Sequence, residues 1–464
     1  MGAPLALIAG PLSACAGLVL VLLLGLRKDH PAPHNPFIER CAAMACTAIG
    51  LFFLLNAPEA ARTELLRADG WSRCWQALFH LATLGLLATI PLKGERPLIL
   101  ALASLAGLDF LASADNLLML FVSLELMSLP VYLLVWGLLP SRKSLEAGIK
   151  YFLTGAAASA LFLFGLALQY SASGSFSLHG ERSADSALGF ALMCAAALFK
   201  TGIVPFQFWL PDVYEASEPE LAGWMSTALK AAGLLLLARL LFASPAVPAA
   251  LWLSPLAALS MLLGNILALR QQNLRRLLAY SSIAHAGALA AALCAWTREP
   301  HAAPAVIFSY LSAYLFMNFG GFLGLRLTGA LCVQDLSGLG RRAPLRSAFL
   351  ALMLLSLAGL PPTLGFLAKL YVFLDLLQAG DKFLAAALAL SSLIGLGYYL
   401  GLVRRMYMDE PAAAAEQPPI CSRMAHSLIA VLCALACMLG GLYPSMSTDI
   451  GSVLAAPAAE GSVR

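Results

Sequence analysis

Lysines inside apolar segments are the residues of this chain whose type and spacing suit chemistry. Lys200 stands in Ala-Leu-Phe-Lys-Thr-Gly-Ile-Val-Pro-Phe, residues 197–206, five residues before Pro205. Lys369 ends Gly-Leu-Pro-Pro-Thr-Leu-Gly-Phe-Leu-Ala-Lys, residues 359–369. Lys230 lies in Ser-Thr-Ala-Leu-Lys-Ala-Ala-Gly, Glu125 in Phe-Val-Ser-Leu-Glu-Leu-Met-Ser-Leu-Pro, and His285 in Tyr-Ser-Ser-Ile-Ala-His-Ala-Gly. Proline has no N–H, so Pro205 leaves the carbonyl of Thr201 free, and Pro361 and Pro362 free those of Leu357 and Ala358. In hydrocarbon, freed carbonyls persist only inside protein or along a wet cavity. Ionisable groups beside a broken helix therefore point to a path for protons or small ions.

Each group has a plainer reading beside that one. Glu125 falls about nine residues into its segment, or ~14 Å at 1.5 Å per residue, near the midplane of a bilayer. No other acid is expected so deep. A lone carboxylate there takes up a proton and a lone ammonium sheds one, whereas a pair of them stays ionised. Glu125 with Lys200 is the candidate pair, and parting them would shift the protonation of both. The plainer reading is a static ion pair that fixes helix register. Lys230 is flanked by Ala228, Ala231, Ala232 and Gly233, which admit a close helix or water; the alternative is a lysine that snorkels to the interface. His285 suits proton relay near neutral pH, or is a neutral histidine bonded to a neighbouring helix. Ser281 and Ser282 either order water there or bond their own helix. Asp212 and Glu215, in Trp-Leu-Pro-Asp-Val-Tyr-Glu, fit an entrance or an interfacial loop equally well.

The elements that must position these groups are membrane spans. The 464 residues are 60% hydrophobic and 12% charged, against roughly 25% charged in a soluble domain. Mean hydropathy of +0.82 over this length means a polytopic membrane protein. The net charge of +4 is too small to suggest nucleic acid. Ten cysteines form no C-x-x-C pair and read as small packing residues, without metal or disulfide roles. Residues 1–26 lack a basic n-region, so they are expected to form a retained helix. Walker loop, dinucleotide glycine motif, metal-ligand cluster and haem attachment site are all missing from the sequence, so energy for ion movement must come from a gradient or another subunit.

Apolar stretches of about 20 residues predict fourteen spans. They run 3–26, 38–56, 71–93, 97–113, 116–139, 146–171, 187–210, 219–243, 248–269, 276–296, 302–327, 345–378, 380–408 and 422–447, with no soluble domain between them. Eighteen lysines and arginines fall on the odd-numbered loops and eight on the even loops and termini. The positive-inside rule then places odd loops in the cytoplasm and both termini outside. Of the 29 basic residues only Lys200, Lys230 and Lys369 are left for the interior.

The same spacing suggests an internal repeat. Pro205 and Pro361/Pro362 are 156 or 157 residues apart, and Glu125 and His285 are 160 apart. An offset near 158 equates spans 4–8 with spans 9–13, and five spans per unit require the second copy to be inverted. The expected fold is one all-α membrane domain. It comprises an N-terminal group (1–96), two inverted five-helix repeats (97–243 and 248–408) with spans 7 and 12 broken, and a last helix with its tail (422–464).

The segments Leu124 through Tyr132, Glu146 through Phe152, Phe199 through Tyr214, Leu277 through His285 and Gly359 through Tyr371 together resemble the antiporter-like membrane subunits of respiratory complex I, the NADH–quinone oxidoreductase. The resemblance spans nearly the whole chain. It is strongest to the subunit-N branch, on the stretch Glu146–Phe152 and the lack of a long C-terminal lateral helix; Lys369 also stands where the subunit-M branch typically has glutamate. It implies a proton-pumping module with a Glu–Lys pair at Glu125 and Lys200, a connecting lysine at Lys230 and a terminal lysine at Lys369; His285 is added to this relay from its own position and not from the resemblance. Gln207 replaces a histidine usual in the family, and Ala216 through Leu221 replaces an apolar, Thr-Pro-containing turn.

The resemblance further implies no cofactor in this chain, with NADH, FMN, iron–sulfur clusters and quinone held by other subunits. Implied partners are the antiporter-like subunit M, small subunits such as K, the lipid bilayer and protons, in a bacterial inner membrane. One rival is a subunit of a multi-subunit Na⁺/H⁺ antiporter or membrane-bound hydrogenase; another is a scaffold that seals the membrane arm without pumping.

Overall fold

A computed structural model describes residues 2–26, 36–56, 61–91, 94–138, 141–178, 187–243, 249–298, 303–410 and 424–442. Arg27, Lys28, Lys93, Arg182, Arg423 and Arg464 of the basic census, and Cys421, lie outside them. The apolar runs become helices because backbone groups in a membrane need partners within the segment. In order these are α1 (Gly2–Leu26), α2 (Pro36–Leu55), α3 (Gly70–Thr89), α4 (Arg96–Ser113), α5 (Leu117–Gly137) and α6 (Arg142–Ser173). A small hairpin, β1 (Ala61–Arg62) against β2 (Arg67–Ala68), precedes α3. The middle of the chain forms α7 (Ala187–Thr201), α8 (Leu210–Ala216), α9 (Pro219–Trp224), a π turn (Met225–Leu229) and α10 (Lys230–Phe242). Then follow α11 (Ala249–Leu269), α12 (Leu274–Arg298), α13 (Ala303–Thr328), α14 (Leu339–Arg342), α15 (Pro344–Ala358), α16 (Leu364–Gln378), α17 (Lys382–Met408) and α18 (Met424–Leu442).

Starts are set by polar caps. Asp69 and Ser72 form a reciprocal capping box at α3, Ser141 and Ser144 form one at α6, and Asn116 caps α5. Helices occupy all fourteen expected places. Among the described residues, eleven are continuous, long and apolar enough to cross a membrane. The other three places are α3 and the two broken segments, α7–α8 and α15–α16, so length and composition alone account for fewer crossings than fourteen. Burial sorts the bundle: 94% of the α12 window and 89% of Pro219–Phe242 are enclosed, against 33% for α1 and α2 and 22% for α18. The helices that carry Lys230 and His285 are thus the innermost.

A duplication is visible in the main chain, at an offset of 157 residues. Gly202 N–H bonds the carbonyls of Leu198 and Phe199, and Ile203 N–H that of Leu198; Gly359 and Leu360 repeat this with Leu355 and Ser356. Both glycines are left-handed, with φ 73° and 84°, which an L side chain resists. Leu117 N–H bonds the Phe176 carbonyl at the start of α5, and its counterpart Leu274 N–H bonds that of Leu331 at the start of α12, from a returning segment two residues out of step. A Cβ on Gly107 would lie 2.3 Å from Met127 N, and one on Gly264 2.7 Å from Ala284 N, so the same close helix crossing occurs twice.

This offset corrects the expected one. It equates Glu125 with Ser282 and Ser128 with His285, and Glu125 is not the counterpart of His285. The three-residue slip is just under one helical turn, and hydrophobicity alone reads the same at either register. Lys369 equates with Asp212, as expected, while Lys200 equates with Leu357. Ion pairs sort into two ends of the bundle. Arg62–Asp115 and Arg298–Asp381 lie at the even-loop end; Lys143–Glu215, Arg276–Asp212 and Arg326–Glu220 lie at the odd-loop end. α5 begins at the first end and α12 at the second, so equivalent helices run in opposite directions.

Candidate functional site

The first half of the site is built on α5. Lys200, in the last turn of α7, is buried. Its Nζ donates to Ser128 Oγ at 2.8 Å and Tyr132 OH at 3.0 Å, one turn apart on α5. The ammonium also lies 5.4 Å from the centre of the Tyr132 ring. Glu125, half-exposed one turn before Ser128, accepts instead from Ser159 Oγ on α6. The expected ion pair of Glu125 with Lys200 is therefore not formed. α7 ends at Thr201, so its amine meets α5 one turn beyond the carboxylate, where two hydroxyls occupy its donors.

Lys230 supplies the centre. It opens α10 directly after the π turn, a widened turn that often marks functional positions. It is only 2% exposed, and Nζ donates to both the carbonyl and Oγ of Ser282 on α12. Snorkelling is thereby excluded. Gly233, one turn later, lies against the backbone of Lys200 and Thr201, so α10 carries Lys230 alongside the end of α7. Lys200 and Lys230 share no hydrogen-bond partner: one bonds α5, the other α12.

The second half is built on α12. His285 follows Ser282 by three residues, on the same helix face. Its Nδ1 is 2.7 Å from Tyr310 OH on α13, and its ring centre is 5.0 Å from that of Tyr314. His285 borders a cavity of about 20 Å³, shared with Lys369, Asn265, Ser391, Tyr398 and Tyr399. That volume holds about one water. Tyr399 OH meets Ser281, and Tyr398 OH donates to Asn265 Oδ1 at 2.9 Å. Lys369, in the second turn of α16, donates to the carbonyls of Leu357 and Ala358, both at 2.9 Å. These are the carbonyls that Pro361 and Pro362 release.

Asp212 and Glu215 are tied down by ion pairs at the odd-loop end. Arg276 reaches Asp212 at 2.6 Å and Glu215 at 3.0 Å, Lys150 reaches Asp212 at 3.4 Å, and Lys143 reaches Glu215 at 2.6 Å. Burial alone would raise both carboxyls, but these cations hold them below the usual carboxylate range. The unusual Ala216–Leu221 stretch is also engaged: Glu220 meets Arg326 on α13 and His426 on α18, both at 3.1 Å. Gln207 Oε1 is buried without a hydrogen-bond donor among the described residues.

Sequence reasoning missed two sets of residues. Ser128 and Tyr132 sit three and seven positions after Glu125, a spacing that marks one helix face and was readable. Asp109 on α4 is fully buried against His80 on α3, so Glu125 is not the only deep acid. Nothing in the spacing of Asp109 joins it to His80, 29 residues earlier.

Residues 114–395 match the family described as NADH:quinone oxidoreductase/Mrp antiporter, transmembrane. The chain is 34% identical over 474 residues to NADH-quinone oxidoreductase subunit N of Rhodospirillum rubrum, covering 96% of each. Among solved structures, a chain of respiratory complex I from Thermus thermophilus with bound Aureothin superposes with a TM-score of 0.83 at 32% identity, covering 94% of this chain and 97% of that one. A chain of the Mrp complex from Dietzia sp. DQ12-45-1b superposes with a TM-score of 0.78 at 20% identity, covering 98% and 96%, a likeness of fold alone.

Proposed function

The chain belongs to the transmembrane family shared by NADH:quinone oxidoreductase and Mrp antiporters, and from that premise we propose that it is the proton-translocating subunit N of a bacterial NADH–quinone oxidoreductase. The observation that carries the reading is the contact series on α12. Lys230 holds Ser282, and one turn on, His285 shares a cavity with Lys369. In the cycle we infer, input from a neighbouring subunit brings Glu125 and Lys200 together and parts them. The arrangement with Lys200 on Ser128 and Tyr132, and Glu125 on Ser159, is the parted state. The proton released by Lys200 passes through water to Lys230 and His285, then to Lys369, and leaves.

The chain itself carries no redox chemistry in this reading. NADH, FMN, iron–sulfur clusters and quinone belong to other subunits, and the neighbours in the membrane arm are subunit M and small subunits such as K. The excess of basic residues on odd loops supports a cytoplasmic odd-loop face and extracytoplasmic termini, in the bacterial inner membrane. Affinity purification from gently solubilised membranes tests the assignment. The chain should co-purify with NADH-dependent quinone reductase activity. Co-purification with cation/proton exchange activity and no NADH oxidation would place it in an antiporter instead.

A further inference from the structure

A second buried polar group lies in the N-terminal layer, away from the lysine line. His80 Nδ1 on α3 lies 3.4 Å from Asp109 Oδ1 on α4, and both side chains are fully enclosed. The same nitrogen lies 2.9 Å from the Gln76 carbonyl, and Nε2 lies 3.3 Å from Ser13 Oγ on α1. Ser13 Oγ also lies 2.8 Å from the Gly10 carbonyl, so its one proton goes either to that carbonyl or to His80 Nε2. Nδ1 faces two acceptors and so carries a proton, whereas Nε2 carries a second one when the Ser13 hydroxyl turns to Gly10 and accepts when it turns to His80. Among the described residues no other donor reaches either oxygen of Asp109. In its protonated form the ring is the counter-charge of that carboxylate. Space for the group comes from two glycines: a Cβ on Gly10 would lie 3.1 Å from Asp109 Cγ, and one on Gly50 2.8 Å from His80 Nε2.

Polar groups continue from the pair toward the even-loop end. Gln76 Nε2 bridges the Asp109 carbonyl at 3.2 Å and Ser113 Oγ at 2.9 Å, one turn further along α4. Asp115 comes next, paired with Arg62 at 2.6 Å on the wall of an open basin that includes Glu64 and Ser177. The other titratable groups nearby are the Cys15 thiol on α1 and Arg239 on α10, which donates to the Ala112 carbonyl. α2 faces the pair with Gly50, and the one acid of α5, Glu125, is turned to α6. On α3, Thr83 follows His80 by one turn and accepts from Trp224 Nε1 at 3.1 Å, ahead of the π turn that leads to Lys230.

From this geometry we infer that His80 and Asp109 form a second proton-binding site, loaded by water from the even-loop end along the polar groups of Asp115, Ser113 and Gln76. Binding one proton turns a neutral imidazole beside a carboxylate into the imidazolium–carboxylate pair; release returns that proton to water at the same end. The site uses none of the residues of the lysine line, so either can fail while the other stands.

The test uses the assembled complex in sealed, oriented vesicles, with histidine ring labels read by infrared difference spectroscopy as pH is stepped on one face. Imidazolium bands should appear on acidifying the even-loop face, be absent from His80→Gln, and appear several-fold more slowly in Ser113→Ala. Bands that stay constant with pH, that answer only to the odd-loop face, or that survive in His80→Gln overturn the site. If His80→Gln does not assemble, Ser113→Ala, which keeps both members of the pair, decides alone: an unchanged rate overturns the loading route.

Discussion

The two broken helices share a backbone and differ in where the charge stands. At the first, Lys200 precedes the left-handed Gly202 and donates sideways to hydroxyls of α5. At the second, Lys369 follows the left-handed Gly359 and reaches back to the carbonyls that the break exposes. The backbone asks only for glycine and proline at matching places, so a duplicated fold is kept by sterics while each amine sits on a different limb. Two inverted copies thus do not make two equal sites. With Lys230 between them, bonded to the α12 counterpart of Glu125, they make one line.

The largest effects should come from the crossings that the halves share. Gly107→Val and Gly264→Val each drive a side chain into the backbone of the next helix, and both should abolish assembled complex in a native-gel assay. Gly397→Ala and Gly401→Ala, which meet nothing within 4 Å, should assemble normally. Damage from only one of the two valine variants would break the claim that the crossings are equivalent.

The break glycines sharpen the difference between the halves. Gly202→Ala and Gly359→Ala each place a side chain at positive φ, at a cost of roughly 1–2 kcal/mol. Their neighbours differ: the new Cβ meets Leu210 Cδ1 at 2.6 Å in the first and Lys369 Cδ at 2.9 Å in the second. Both variants should lose similar thermal stability, but Gly359→Ala should lower the protons pumped per NADH oxidised further, because it dislodges an amine. Equal pumping losses would mean that the position of Lys369 on its carbonyls has no part in transfer.

Sequence made the spans, the breaks and the freed carbonyls at Leu357 and Ala358 legible, because each follows from apolar length or from the missing proline N–H. It also isolated Lys200, Lys230 and Lys369 by charge counting, and Glu125 and His285 by their place inside apolar segments. It did not show which amine bonds which helix. Lys200 pairs with Ser128 and Tyr132, and not with Glu125, because helix ends set the reach of a side chain, and ends are the least readable feature of an apolar run. The tyrosines and Asn265 around the His285 cavity come from α11, α13 and α17, which only tertiary packing brings together. Asp109 and His80 were hidden for the same reason.

The smallest effect belongs to the surface ion cluster, which lies outside the line. Asp212 and Glu215 are held low by Arg276 and the nearby lysines. A depressed carboxyl adds stability that is present above its unfolded pKa and is lost as pH falls through its folded one. Asp212→Asn should therefore cost about 1 kcal/mol or less at pH 7, since the pair is partly exposed and screened, and the cost should shrink and vanish as pH falls through the depressed carboxyl's range. Thermal melts of the solubilised complex across that range check the sign; a gap that widens on acidification contradicts it.

The central claim is that Lys230 hands protons between the halves, and one measurement tests it most directly: protons translocated per NADH oxidised in reconstituted complex that has fully assembled. Lys230→Met keeps the stem and removes the buried charge, while Lys230→Arg keeps a charge that does not give up its proton. The account predicts normal assembly and a lowered ratio for both, with Glu125→Gln at least as harmful. A scaffold role predicts the opposite order, assembly failing first and pumping intact in whatever assembles. An unchanged ratio in both Lys230→Met and Glu125→Gln would contradict the relay.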